Sequence, residues 1–381
     1  MKILLSNKFY YRRGGDCVYM LNLEQLLQSH GHEVAVFAMD YPDNIDTPYK
    51  RYFPKNMSKL MALTRPFGSL EVQNKFNELL YDFKPDVVHL NNIHTQLSPI
   101  IAELAHKKGI RVIWTLHDYK LLCPRYDCLR DGKSCELCFS GEKKNCLDFK
   151  CMKGSRLASL IGYWEALKWN RERLERCTDV FVCPSQFMAD KMAQGGFDEL
   201  RLRTLCNFID VEKCAKTSYE KDDYYCYVGR LSHEKGAKTF IEAANQLPYK
   251  LKVIGGGPLM EELMSASRSN VEFVGFKQWN EIKELVGRAR FSVIPSEWYE
   301  NNPLSVIEAL CLGTPVLGSK IGGIPELTQY TFNSGDVIDL KVQIEKMWNT
   351  QFDYKEIAVE SMKKYNAESY YENIIKLYEG V

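Results

Sequence analysis

The sequence lacks any run of about 18–20 consecutive apolar residues, the length a membrane-spanning helix needs. Its first apolar run, Ile3–Leu5, is far too short for the core of a secretion signal. The chain is therefore expected in the cytoplasm. It also lacks an excess of charge of either sign, with 50 lysines and arginines against 49 acids and a net charge of +1. No global field draws it to nucleic acid or to an anionic membrane, so no nucleic-acid partner is expected and any surface binding has to be local. Low-complexity tracts and internal repeats are missing too. With 45% hydrophobic, 12% aromatic and 26% charged residues, the composition excludes disordered and fibrous classes.

What is present is 381 residues, enough for two domains of roughly 150–200 residues each. Short β-rich runs at Lys2–Ser6, Val34–Phe37, Asp86–His89, Arg111–Thr115 and Val180–Cys183 alternate with helix-length stretches. After a polar segment, Glu212–Asp223, the pattern restarts with Tyr224–Val228, Leu251–Ile254, Val271–Val274, Phe291–Ile294 and Pro315–Leu317. Such alternation predicts two α/β, doubly wound Rossmann-like domains, each a parallel sheet wrapped by helices. We expect an N-terminal domain over 1–207, a linker over 208–223, a second domain over 224–362, and a closing helix over 363–381 that packs back on the first. Ligands are expected between the domains, at strand C-terminal ends.

Three segments carry charge or glycine where such a fold binds anions. Arg13-Gly14-Gly15-Asp16 follows the first strand and opens a helix, where free N–H groups favour an anion; a turn that simply needs flexibility explains it equally well. Gly229-Arg230 follows the strand ending at Val228, and Lys235 lies five positions on. An arginine fork and a mobile lysine suit a phosphate pair, and so does a solvated cationic turn suit the sequence. In Glu300-Asn-Asn302-Pro303-Leu304-Ser305-Val-Ile-Glu308, two carboxylates lie eight positions apart across a loop-to-helix junction. N–H groups of Leu304 and Ser305 at that helix start are able to hold phosphates, and Glu308 is able to accept from two ribose hydroxyls, although an ordinary exposed helix glutamate has the same sequence signature.

Together these segments resemble the family 4 glycosyltransferases of the GT-B fold, with further matching stretches at Thr115-Leu-His117-Asp118, Ile254–Pro258, Val274-Gly275-Phe276, Cys311–Val316 and Gly322–Glu326. The resemblance implies a retaining glycosyltransferase that moves a sugar from a nucleotide-diphosphate donor. It implies that Arg230 and Lys235 bind the diphosphate beside Gly229, that Glu308 binds the ribose, and that Glu300 and His117 contact the transferred sugar. It further implies that Gly14 and Gly15 offer N–H groups near the phosphates, that the main chain at Phe276 meets the base, and that Asn302, Pro303, Leu304 and Ser305 line the donor. No catalytic metal is expected: no Asp-x-Asp run stands at a strand end. Two departures concern acceptor fit and domain closure, Asp16 in the glycine loop and Cys206-Asn207-Phe-Ile-Asp210 at the hinge.

Thirteen cysteines without a secretion signal argue for reduced thiols. Six of them, Cys123, Cys128, Cys135, Cys138, Cys146 and Cys151, crowd an insertion over 123–151. Four thiolates at such spacing suit a structural zinc; buried thiols, opportunistic disulfides and an iron–sulfur cluster are the alternatives. Members of the resembled family have cysteines matching Cys123, Cys135, Cys138, Cys146 and Cys151, which are the ligands the resemblance implies. The surrounding stretch 107–176 is basic, with 16 lysines and arginines against 9 acids. A solvated helix surface accounts for this, as does contact with the headgroups of the inner membrane surface or with a lipid pyrophosphate. Trp164, Leu167 and Leu160 look amphipathic, and core packing explains them equally well. The expected acceptor is a glycan or lipid-linked oligosaccharide in capsule or O-antigen synthesis. The rival readings are a nucleotide-sugar epimerase or phosphorylase on a related fold, or a non-catalytic scaffold that binds sugar nucleotides.

Overall fold

The structure is a computed structural model and describes residues 1–55, 61–215 and 218–381. Residues 216–217 of the expected linker lie outside the described residues. The chain divides into two compact units, one of Met1–Cys128, Cys135–Cys206 and Tyr370–Val381, the other of Leu129–Ser134 and Asn207–Ser369.

In the first unit, β1 (Lys2–Ser6) leads into α1 (Gly15–Ser29) and β2 (Glu33–Phe37), then α2 (Leu70–Phe83), β3 (Val87–Leu90), α3 (Ile100–Lys107) and β4 (Arg111–Thr115). The insertion follows; its hairpin β5 (Leu129–Arg130) and β6 (Lys133–Ser134) is counted with the second unit, while α4 (Asn145–Asp148), α5 (Arg156–Lys168) and α6 (Arg171–Arg176) belong to the first. β7 (Val180–Cys183), α7 (Gln186–Gln194) and β8 (Leu202–Thr204) complete the sheet. The strand order is β2-β1-β3-β4-β7-β8, and every pairing is parallel. Ile3, Leu4, Leu5, Val88, Ile113 and Phe181 are fully buried, as a parallel sheet covered on both faces requires.

The second unit runs β9 (Tyr225–Val228), α8 (Ala237–Ala244), β10 (Leu251–Ile254), α9 (Met260–Ala266), β11 (Val271–Gly275), α10 (Trp279–Gly287), β12 (Ser292–Ile294), α11 (Leu304–Cys311), β13 (Val316–Ser319), β14 (Thr331–Phe332), α12 (Val337–Asn349) and α13 (Tyr354–Lys364). Its parallel order, β11-β10-β9-β12-β13-β14, reverses direction at β9, so the loops after β9 and β12 flank the switch point where doubly wound sheets bind ligands. Tyr225, Phe240 and Phe291 lock the core, with the Tyr225 and Phe291 rings stacked at 5.1 Å. Burying each such ring contributes about 1.5–3 kcal/mol.

The last helix, α14 (Ala367–Glu379), carries Tyr370 and Tyr378 into the first unit's core. Tyr370 is hydrogen-bonded to the Tyr19 hydroxyl, and Tyr19 to Thr115 at 3.3 Å. His89 joins Thr115 at 2.8 Å and Tyr378 at 2.5 Å. Burial holds His89 down at about 3, so this buried network is uncharged at neutral pH.

Candidate active site

The site in the second unit is built on the loops after β9 and β12. Gly229 and Arg230 follow β9 directly, and a short turn brings the chain to Lys235 and Gly236 at the start of α8. Gly236 has φ +66°, and a Cβ there would stand 1.8 Å from the Pro295 carbonyl oxygen. The position needs glycine both for its backbone and for the close approach of the two loops. That approach sets the Lys235 ammonium 2.5 Å from Glu300 Oε1 and 4.9 Å from the centre of the Trp298 ring. Ser296 Oγ donates to the same carboxylate oxygen at 2.7 Å. The backbone of Glu300 is held in turn by Gly322 and Gly323: Gly323 N–H donates to Glu300 O at 2.7 Å, and a Cβ on Gly322 would meet that oxygen at 2.2 Å.

Burial pushes the Glu300 carboxyl up, but the Lys235 charge, its hydrogen bond and that of Ser296 outweigh it and hold the group below its ordinary value. Glu300 is ionised at neutral pH although only 8% exposed. Glu308, on α11, differs. It has no hydrogen-bond or ion-pair partner among the described residues, and burial pushes its carboxyl up to about 7. Arg230 is exposed, and its guanidinium likewise has no partner among the described residues. Among the described residues, the loops after β9 and β12 and helix α11 thus offer Arg230 without a partner, Lys235 paired with Glu300, and a Glu308 carboxylate without donors. That is the complement of a diphosphate joined to a diol.

Pro303 precedes α11, so the N–H groups of Leu304 and Ser305 open the helix without acceptors inside it. Asn302, expected to line the donor, also ties the loop before α11 to Asn207. It is buried, its Oδ1 accepts the Asn207 N–H at 3.1 Å and its carbonyl accepts from Asn207 Nδ2 at 2.9 Å. Its side chain secures the hinge residue. Phe276, just past β11, is 80% exposed.

In the first unit, Gly14 is the N-cap of α1 with an extended backbone and Gly15 the first helical residue, both exposed. Asp16 in that turn accepts from Asn92 Nδ2 at 3.2 Å. His117 follows β4, and its Nε2 lies 3.0 Å from Asn91 Oδ1, at the end of β3. Asn91 Nδ2 donates to Ser6 O at 3.4 Å, which turns the amide oxygen toward the imidazole. Nε2 therefore carries the proton and Nδ1 is left as an acceptor. Burial lowers His117 to about 4, against a raising effect of Asp16, so the ring is neutral. The Tyr19 ring meets it edge-on at 4.9 Å. Asn91 and Ser296 are the two residues the sequence did not single out; neither sits in a recognisable motif.

Among the described residues, no group of three or more His, Cys, Asp or Glu side chains is placed to hold a metal ion. The insertion's cysteines are free thiols. Cys123 and Cys128 are hydrogen-bonded to each other through sulfur, and Cys128 O accepts the Cys135 N–H at 2.7 Å. Cys138 interacts electrostatically with Cys123, Cys135 and Cys151, and Cys146 with Cys123, Cys138 and Cys151, so the five cysteines expected as ligands share one neighbourhood.

Comparison with known proteins places the chain. The model "Glycosyltransferase Family 4" matches residues 13–213, and "Glycosyl transferases group 1" matches residues 209–376. An uncharacterized 42.6 kDa protein of the Klebsiella pneumoniae cps region is 27% identical with full coverage of both chains. A putative colanic acid biosynthesis glycosyltransferase, WcaL of Escherichia coli, is 31% identical over 27% of this chain and 29% of its own. Among solved structures, Anabaena HepE in complex with UDP superposes with a TM-score of 0.71 at 15% identity, covering both chains fully, and shows the same fold, GT-B. The chain belongs to glycosyltransferase family 4.

Proposed function

We propose that this protein is a retaining glycosyltransferase that moves a sugar from a nucleotide-diphosphate donor to a lipid-linked oligosaccharide in capsule or O-antigen assembly. The observation that carries the reading is the Lys235–Glu300–Ser296 cluster on the loops after β9 and β12, with Arg230 on the same β9 loop and a half-buried Glu308 on α11, neither side chain having a partner among the described residues. Kinship to a cps-region protein and to WcaL supports the polysaccharide context, and the complexes of HepE with UDP and with UDP-glucose support a uridine donor. The membrane-borne acceptor rests on this context alone.

In this reading the acceptor oxygen bonds to the anomeric carbon on the face from which the diphosphate leaves. The C–O bond to the diphosphate breaks, and the acceptor proton passes to the departing phosphate oxygen. No protein nucleophile and no metal is needed. Arg230 and Lys235 stabilise the negative charge that grows on the leaving group, in a site where preorganised charges act strongly. Glu308 accepts from the ribose hydroxyls. Glu300, held by Lys235 and Ser296, orients the sugar, and His117 Nδ1 accepts a hydrogen bond from a sugar hydroxyl. The test is turnover of a nucleotide sugar with an extracted lipid-linked acceptor, the product anomer being read by NMR. Retained configuration is expected, and an inverted product overturns the mechanism.

A further inference from the structure

Helix α5 is turned inside out. Its buried residues are Ser159, Gly162 and Glu165, whereas Leu157, Trp164 and Leu167 are 67, 50 and 46% exposed. At about 100° per residue, Leu157, Leu160, Ile161, Trp164 and Leu167 fall within one arc of about 120°, opposite the buried Ser159 and Gly162. A helix that packs only for the sake of its own unit does the reverse.

Polar chemistry beneath the helix fixes this orientation. The Glu165 carboxylate accepts from Lys120 Nζ at 2.8 Å, with side-chain exposures of 6% and 8%, and Lys120 also donates to Pro124 O at 2.6 Å. Ser159 Oγ accepts the Met152 N–H at 3.0 Å, and Gly162 leaves room for the Met152 side chain. Rolling the apolar stripe inward would strip a buried ion pair of its partner. The stripe is thus held outward by the fold.

Charge beside the stripe says what it meets. Lys144, Lys150, Lys153 and Arg156 are exposed in the segment that leads into α5, against Glu142 and Asp148. Where α4 meets α5, a groove of about 280 Å³ is lined by Lys143, Lys144, Glu142, Asp148, Tyr163 and Leu167, and among the described residues the free cations of this face are those that follow it, Lys150, Lys153 and Arg156. A second copy docked through this face would set these cations against their own kind.

We propose that the exposed face of α5, with the cations that precede it, docks onto an anionic phospholipid bilayer. The helix lies flat, its apolar stripe at the level of the acyl-chain ends and its cations among the headgroups. Its 13 residues span about 20 Å, too short to cross a bilayer. The inference rests on the reading of the acceptor as membrane-borne and gives that reading a surface.

Vesicle flotation tests it, with phosphatidylglycerol–phosphatidylcholine vesicles against phosphatidylcholine alone. Wild type is expected to float with the anionic vesicles and to detach as salt rises. L157S/W164S should bind at least about tenfold more weakly, and K150E/K153E/R156E should lose binding by about fivefold or more per position. L200S, which removes a leucine 80% exposed elsewhere in the first unit, should float as wild type does. Thermal stabilisation by a panel of five nucleoside diphosphates, read on each variant, should be unaffected. Absence of wild-type binding at low salt, or unchanged flotation of L157S/W164S, overturns the proposal. So does a dimer in sedimentation that the same double variant splits. Failure of nucleotide stabilisation in wild type would instead count against the transferase reading, whatever the vesicles show.

Discussion

Replacing Lys235 by alanine should both destabilise the second unit and disable the reaction, in separable amounts. The ammonium lies 2.5 Å from a carboxylate whose side chain is 10% exposed, while its own is 27% exposed. Breaking a fully buried pair from one side costs about 3–5 kcal/mol. The partial exposure of Lys235 lets water reach the orphaned Glu300, so about 2–3 kcal/mol is expected here, a fall in melting temperature of roughly 4–10 °C. Glu300 has a depressed folded-state pKa, so the pair's contribution is full above the ordinary carboxylate range and is lost as pH falls through the depressed value. The stability gap between wild type and K235A should therefore close on acidification. K235M/E300Q, which removes both charges, should recover most of the stability but none of the activity, because the cation that meets the leaving diphosphate is still gone. Loss of about 10²- to 10³-fold in kcat/KM is expected for K235A. Differential scanning calorimetry across pH and donor-turnover kinetics read the two effects. A K235A protein that melts within about 1 °C of wild type and turns over normally would refute the reasoning.

Glu308 gives a pH prediction of the opposite sign. Burial raises it to about 7, so its ionised form disfavours the fold as pH rises through that value, yet the ionised form is the one that accepts from ribose hydroxyls. Affinity for UDP-glucose, whose own charge is constant there, should rise about tenfold from pH 6 to pH 8 in wild type and stay flat in E308Q, by isothermal titration. Asn91→Ala frees the imidazole tautomer of His117; kcat should fall by up to about a hundredfold with donor affinity little changed, and unchanged kcat would remove Asn91 as a positioning residue. Within the insertion, Cys123 is lowered to about 7 by the hydrogen bond from Cys128, while burial raises Cys138 and Cys146 to about 12. Iodoacetamide at pH 7.5 should therefore modify Cys123 well before Cys138 or Cys146 in mass-spectrometric mapping, and equal labelling would contradict the thiol pair.

Much of the architecture was legible because parallel strands buried on both faces read as short apolar runs. Arg111–Thr115 and Leu251–Ile254 fall where those runs do, and the closing helix, expected over 363–381, spans Ala367–Glu379. The edge strands β8 and β14 were not legible: Leu202-Arg-Thr and Thr331-Phe are too short and too polar to stand out, and only pairing with β7 and β13 makes them strands. The charged residues of the candidate site were named from motifs, but their pairings were not. Asn91 stands 26 positions before His117, and the two meet only because β3 and β4 pair in register. Ser296 reaches Glu300 through a loop that carries no periodic signal. The stripe of α5 was visible as spacing, yet spacing cannot tell an outward face from an inward one. The buried Lys120–Glu165 pair decides it, and that pair joins residues 45 apart.

The central claim is a nucleotide-diphosphate site on the second unit, and isothermal titration of nucleoside diphosphates into wild type and R230A tests it most directly. One nucleoside diphosphate should bind wild type with one site and micromolar affinity, and R230A should weaken it by at least about tenfold, as loss of a charge-assisted phosphate contact requires. Binding of equal strength in R230A, or none by any nucleoside diphosphate, would contradict the account.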